Sequence, residues 1–190
     1  LPDVSKGEIR DRAERRLLFN YERKAANQGG TQIVTRTFKS PSGEIVAIET
    51  CTYRGTKVIK MEIDQRQTGG RGFYEVRGDK VHFEWSVAGK LKSDQETLKE
   101  NMVSADEVVP FLHGNWDELM SGKTLHVRFP VIDRAETVGF KFFKDKEVGD
   151  SVIIKMKPSS LIIAGLVDPL LFKFQKGGDR RLLEVNGRVT

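Results

Sequence analysis

The feature that most constrains this chain is a long succession of short stretches in which apolar and polar residues alternate, broken repeatedly by glycine. In residues 57–66, Ile59, Met61 and Ile63 fall on one side while Lys60, Glu62 and Asp64 fall on the other. In 80–87, Val81, Phe83, Trp85 and Val87 oppose His82, Glu84 and Ser86. In 124–132, Leu125, Val127, Phe129 and Val131 share a side. A period of two sends alternate side chains to opposite faces of a strand, so each stretch reads as a strand with one buried and one solvated face. Pro41–Ser42–Gly43, Gly55, Gly69–Gly70, Gly78–Asp79 and Ala88–Gly89 supply the backbone freedom that tight hairpins need. The first strand reads as 16–22, followed by a turn over 25–30. With 31–39, 44–53, 72–77, 90–98, 136–144, 151–157, 170–174 and 181–189, the pattern gives about eleven strands, mostly hairpin-linked.

The period changes twice. Val108, Phe111, Leu112, Trp116 and Leu119 recur at helical spacing, and Gly122 follows, so 109–120 reads as an amphipathic helix. Pro158–Ser159–Ser160 reads as the start of a short second helix over 160–167, which Pro169 ends. The expectation is a mainly β protein forming a single domain over 1–190. Its core would be one antiparallel, strongly curved sheet or incomplete barrel of about eleven strands, with two short helices covering the concave face.

Charge and cysteine usage exclude several classes of function. The 32 basic and 27 acidic residues leave only +5, and they are scattered singly along strands, which suits a solvated sheet face rather than a nucleic-acid patch. The longest apolar run, 161–167, is far shorter than the roughly 20 residues that cross a bilayer as a helix, so no transmembrane segment is expected. It reads as a buried plug or as a mobile lid. Cys51 is the one cysteine, which excludes an internal disulfide. His82, His113 and His126 lack ligand spacing, so neither a metal nor a cofactor is expected. Asp133 and Glu136 fall in a turn, and Ser159 and Ser160 lack a nucleophile elbow; no catalytic residue is assigned. Arg77–Gly78–Asp79 reads as a hairpin turn rather than an adhesion ligand. The chain opens with Leu1–Pro2–Asp3, which we read as the product of a removed secretory signal and hence as a sign of a periplasmic protein.

Several phrases carry a resemblance: Phe19–Asn20–Tyr21, Asn115–Trp116–Asp117, Val127–Arg128–Phe129, Glu136–Thr137–Val138–Gly139–Phe140 and Lys155–Met156–Lys157–Pro158–Ser159–Ser160. With the order of elements they resemble a family of uncharacterised bacterial periplasmic proteins, whose half-barrel is similar to the lipoprotein-carrier (LolA/LolB-type) fold. That resemblance spans most of the chain and implies an incomplete barrel wrapped over helices, enclosing an apolar cavity for acyl chains. It implies no catalytic residue.

The side chains expected to line such a cavity are Ile59, Met61, Ile63, Phe83, Trp85, Phe129, Phe140 and Phe142, with Phe111 and Trp116 from the helix. The same ten residues would equally fill a dry core. Two functions follow. One is a non-enzymatic envelope protein binding the acyl chain of a lipid or lipoprotein, or another apolar ligand. The other is a structural or protein-interaction module, meeting an envelope protein partner through its surface.

Overall fold

A computed structural model describes residues 4–10, 15–160 and 168–187. Among these the chain is mainly β and antiparallel, but it builds two sheets rather than one. The first is an eight-stranded meander in the order β1 to β8: β1 (Val4–Arg10), β2 (Leu17–Gln28), β3 (Thr31–Lys39), β4 (Ile45–Arg54), β5 (Lys57–Gln65), β6 (Gly70–Arg77), β7 (Lys80–Val87) and β8 (Lys90–Thr97). The second has five strands in the order β13–β12–β11–β10–β9, from β9 (Leu125–Val131), β10 (Glu136–Val148), β11 (Ser151–Pro158), β12 (Leu170–Gln175) and β13 (Leu182–Asn186). Neither sheet closes on itself.

This corrects the expected single curved sheet. The segment between β8 and β9 contributes no strand to either sheet and touches β9 only through an isolated parallel bridge of Met102 with Arg128. It holds a 3₁₀ turn (Ala105–Glu107), α1 (Val108–Gly114) and α2 (Trp116–Met120). Period-two alternation marks each strand but is silent on which strands share a ladder, so an interruption of the meander reads as an insert when it is a boundary between sheets. The chain divides accordingly into two compact units, one of residues 1–98 with 130–136, the other of 99–129 with 137–190.

In the first unit every strand pairs with its sequence neighbour, as glycine-turned hairpins dictate. β2 runs to Gln28 instead of stopping near residue 22, and its turn is only Gly29–Gly30, both at positive φ (+56° and +83°). That pair supplies the backbone of a two-residue hairpin loop. One row of paired residues crosses six strands from Val34 through Cys51, Met61 and Tyr74 to Phe83, starting from Ala25. Val34, Cys51 and Tyr74 have no exposed surface at all. A 3₁₀ turn at Ile132–Arg134 lies against β6 and β7, and buries Ile132.

A bulge between Thr52 and Tyr53 shifts the β4–β5 register so that Tyr53 faces Val58 and Thr52 faces Lys60. Ile59 is the extra residue. It breaks the expected parity: Val58 is 2% exposed, while Ile59 is only half-buried.

In the second unit, α1 and α2 pack on one face of the five-stranded sheet. Leu112, Trp116 and Leu119 meet Val127, Phe142, Val152, Ile154, Met156, Phe172 and Phe174 there. The helix expected over 109–120 is two short ones. Asn115 sits between them at φ −113°, ψ 22°, and its side-chain amide donates to the Phe111 carbonyl at 2.8 Å, ending α1 before α2 begins. Pro110 occupies the first turn of α1, where its missing N–H costs nothing. Gly122 at φ +88° closes α2, its N–H donating to Leu119 O at 3.0 Å. The first expected helix thus becomes α1 and α2, set on the smaller sheet; the second helix expected, at 160–167, falls almost wholly outside the described residues. Ser159 itself extends the sheet, its N–H donating to Gly139 O at 2.9 Å.

Candidate functional site

The ten expected lining residues divide between the two units. Ile59, Met61, Ile63, Phe83 and Trp85 belong to the eight-stranded sheet, and Phe111, Trp116, Phe129, Phe140 and Phe142 to the second unit. Met61, Ile63, Phe83 and Trp85 share a face of the first sheet, which the bulge takes Ile59 out of, and the other five belong to or pack against the core of the second unit.

In the second unit the aromatics pack on one another. The Phe142 ring, with no exposed surface, lies 6.0 Å from Phe111 and 6.0 Å from Phe172. Trp116 meets Phe174 edge-on at 5.6 Å, and Phe129 meets Phe140 at 5.7 Å. The Arg180 guanidinium lies over the Trp116 ring at 5.1 Å, and the Arg180 carbonyl is hydrogen-bonded to His113 Nε2 at 2.9 Å. Leu112, Leu119, Val152, Ile154 and Phe174 also have no exposed surface. These side chains form a filled core, whose rings satisfy one another in tilted and edge-to-face geometry.

The eight-stranded sheet is organised differently. Beside the row that runs from Ala25 to Phe83 lies a second row on the same face: Arg23, Arg36, Glu49, Ile63, Gly72 and Trp85. Arg23 and Arg36 are buried, and Arg36 forms an ion pair with Glu49 through Nη2. The polar end of this row lies on β2 to β4, and the apolar end on β5 to β7. At the apolar end Ile63 and Trp85 are half-buried. Tyr21 and Phe38, one step further along β2 and β3, are also half-buried and stack with centroids 5.4 Å apart.

Trp85 has an unusual seat. Gly70 and Gly72 lie on β6 beneath its indole. A methyl built on Gly70 would fall 2.5 Å from Cη2 and Cζ2 of the ring, and one on Gly72 would fall 2.8 Å from Cε3 and 2.8 Å from Cγ2 of Ile132. Two glycines on one face of one strand make a flat floor on which the ring lies against bare backbone. From the sequence Gly69–Gly70 reads only as a separator of strands, which holds for Gly69, at φ +69°, and misses the role of Gly70.

The opposite face of β6 to β8 is polar. It carries an open depression of about 410 Å³ lined by Phe73, Arg77, His82, Glu84, Ser93 and Gln95. Lys60 lies over the Phe73 ring at 5.6 Å. Among the described residues no group of three or more His, Cys, Asp or Glu side chains is placed to hold a metal ion. No described helix is long and apolar enough to cross a membrane. Gly78, at φ +61°, turns β6 into β7, so Arg77–Gly78–Asp79 is a hairpin turn.

Comparisons of the chain with protein-family models, with curated proteins and with solved structures give no match.

Proposed function

We propose that this is a non-enzymatic binding protein. Its eight-stranded sheet takes up an apolar molecule, an acyl chain in the first instance, at Ile63 and Trp85. The observation that carries this reading is the seat of Trp85. A large aromatic ring lies on a glycine floor and keeps part of its surface accessible, where a residue serving only the core would be enclosed. An indole offers a broad apolar contact area at low entropic cost, and Arg36 and Glu49 in the same cross-strand row give the face a polar end to orient an amphiphile. The choice of an acyl chain, and of the bacterial periplasm as the place of action, rests on the likeness to lipoprotein carriers noted in the sequence.

A second reading, a structural or interaction module with a dry core, is favoured by the second unit, where Phe142, Leu112, Leu119 and Phe174 are sealed. The two tryptophans separate the readings, because Trp116 is 4% exposed in that sealed core while Trp85 is half-buried on the other sheet. In a Trp116→Phe variant, Trp85 is the sole indole. Quenching of its fluorescence by a brominated fatty acid, saturable and relieved by the unbrominated acid, supports the binding reading. A Trp85 signal indifferent to the fatty acid, with a clean apo mass in native mass spectrometry, favours the second.

A further inference from the structure

The five-stranded sheet turns its second face away from the helices, and one end of that face is basic. Lys141 on β10 and Lys157 on β11 are direct cross-strand partners, and Gly139 and Ser159 sit opposite each other one step along, joined by the Ser159 N–H to Gly139 O bond of 2.9 Å. Arg128 of β9 reaches the same place. Its Nε donates to Thr137 Oγ1 at 2.9 Å and its Nη2 donates to Thr137 O, which fixes the guanidinium plane. The remaining nitrogen, Nη1, lies 3.8 Å from the point where a Gly139 Cβ would stand, and Ser159 Oγ lies 3.5 Å from that same point. The absence of a side chain at Gly139 thus leaves a nook with a guanidinium N–H on one side, a hydroxyl on another, and two lysines next along the strands.

Among the described residues no carboxylate pairs with Arg128, Lys141 or Lys157, whereas neighbouring Lys155 is paired with Asp145 at 2.5 Å. Like charges directly opposed on adjacent strands destabilise a sheet. Lys157 is steadied instead by the Phe143 ring, 5.4 Å from its Nζ. A guanidinium held by Thr137 with Nη1 beside the Gly139 nook, a hydroxyl donor and two ammonium groups is the donor set that suits a tetrahedral oxyanion.

We propose that this nook binds a phosphate group, held by Arg128 Nη1 and Ser159 Oγ over Gly139 and neutralised by Lys141 and Lys157. The group is either free phosphate or the phosphate of a lipid headgroup. The site lies on the face of the sheet opposite the packed aromatics and does not depend on the apolar reading of Trp85.

The test uses the whole chain at low ionic strength, with inorganic phosphate titrated against chloride at matched ionic strength and read by amide and Arg Nε chemical shifts. In parallel, vesicles of phosphatidylcholine carrying phosphatidic acid are compared with plain phosphatidylcholine in co-sedimentation. Saturable shifts at Gly139, Ser159 and Arg128 with phosphate alone identify free phosphate as the ligand. Co-sedimentation with phosphatidic acid vesicles identifies the headgroup. Gly139→Ala fills the nook with all charges intact, and its methyl meets its neighbours only at ordinary contact distances of 3.5 and 3.8 Å, so the fold is kept. Lys157→Gln removes one cation. Each is expected to weaken binding roughly tenfold or more, the worth of one charge-assisted hydrogen bond, while Lys155→Gln leaves it unchanged. Equal shifts with chloride and phosphate and no vesicle binding would overturn the proposal. So would binding that Gly139→Ala leaves intact.

Discussion

The glycine floor under Trp85 makes a sharp stability prediction, because Gly70 and Gly72 differ in what stands above them. Neither has a positive φ, so alanine is conformationally acceptable at both and only space decides the outcome. At Gly72 a methyl would fall on the backbone carbonyl oxygen of Glu84 in the partner strand β7, as well as on Ile132 and Trp85. A carbonyl in a ladder cannot step aside without breaking the β6–β7 pairing, so Gly72→Ala carries the upper part of the usual overpacking cost, about 2–3 kcal/mol. At Gly70 the collision is with the far edge of the Trp85 ring, with Thr68 Oγ1 next at 3.2 Å. Tilting the indole off its rotamer costs about 0.5–1.5 kcal/mol. Replacing a strand glycine by alanine returns about 0.5–1 kcal/mol of backbone entropy. The net change for Gly70→Ala is therefore small, between about 0.5 kcal/mol of stabilisation and about 1 kcal/mol of destabilisation by these two contributions. Urea melts followed by far-ultraviolet circular dichroism measure both. Combining each with Trp85→Ala adds a control: removal of the ring relieves Gly70→Ala, with a coupling of about 0.5 kcal/mol or more, but leaves most of the Gly72→Ala cost. A Gly72→Ala protein within about 0.5 kcal/mol of the parent, the range of neutral surface changes, refutes the floor as described.

Four further outcomes are expected. Phe142→Ala empties a fully buried position between Phe111 and Phe172 and should cost about 3–5 kcal/mol in chemical denaturation, with Phe140→Ala costing less because its ring is half-buried; equal costs would contradict the packing. The Glu107 carboxylate accepts the buried Ser104 N–H at 2.8 Å, so Glu107→Ala should lose about 1–3 kcal/mol, and a neutral result would show that the N–H finds another acceptor. Cys51 has no exposed surface, so its thiol should react with Ellman's reagent only as the protein unfolds in urea; prompt stoichiometric labelling in native buffer would place it at the surface. The hydrogen bond from Lys176, then that from Lys144, holds the Glu147 carboxyl below its ordinary value, while Glu147 in turn raises Lys176 above its own. The Glu147 contribution to stability is therefore present above the ordinary carboxylate pKa and lost as pH falls through the lowered value, and the Lys176 contribution is lost only as pH rises through its raised one. Lys176→Ala should move the Glu147 titration upward in carboxyl-carbon NMR, an effect that added salt shrinks because the pair is exposed; an unmoved titration would deny the pairing.

How much of this was legible in the sequence depended on whether a residue's role was local. Strands β5, β7 and β9 are visible as alternation because each has one apolar face, and the glycine hairpins mark where the chain reverses. β1 leaves no such mark: Val-Ser-Lys-Gly-Glu-Ile-Arg has little alternation, and it is a strand because its backbone pairs with β2 at the sheet edge. The bulge at Thr52 and Tyr53 is hidden for another reason, since one extra residue inverts parity without altering composition, and so alternation alone puts Ile59 inward where Val58 holds that position. Arg23 and Arg36 sit on the buried face of β2 and β3, where a period-two reading of charge assigns them to solvent. The candidate lining residues were recognisable as large and apolar, but their division between two sheets is a matter of ladder partners, which no local pattern encodes.

That division changes what the aromatic content of the chain means. In the second unit each large ring has another ring for a neighbour: Phe142 with Phe111 and Phe172, Trp116 with Phe174, Phe129 with Phe140. Phe142, Phe172, Phe174 and Trp116 are buried, and inserting a ligand among them would require the core to be pulled apart at about 3–5 kcal/mol for each displaced Phe or Trp. On the eight-stranded sheet Trp85 has backbone and Ile132 for neighbours, and it keeps accessible area. A ligand that displaces only water from Trp85 gains the transfer free energy of the covered surface, at about 25 cal/mol per Å², without that disruption. That contrast is the ground on which we propose Trp85, rather than the aromatics of the second unit, as the place of apolar uptake.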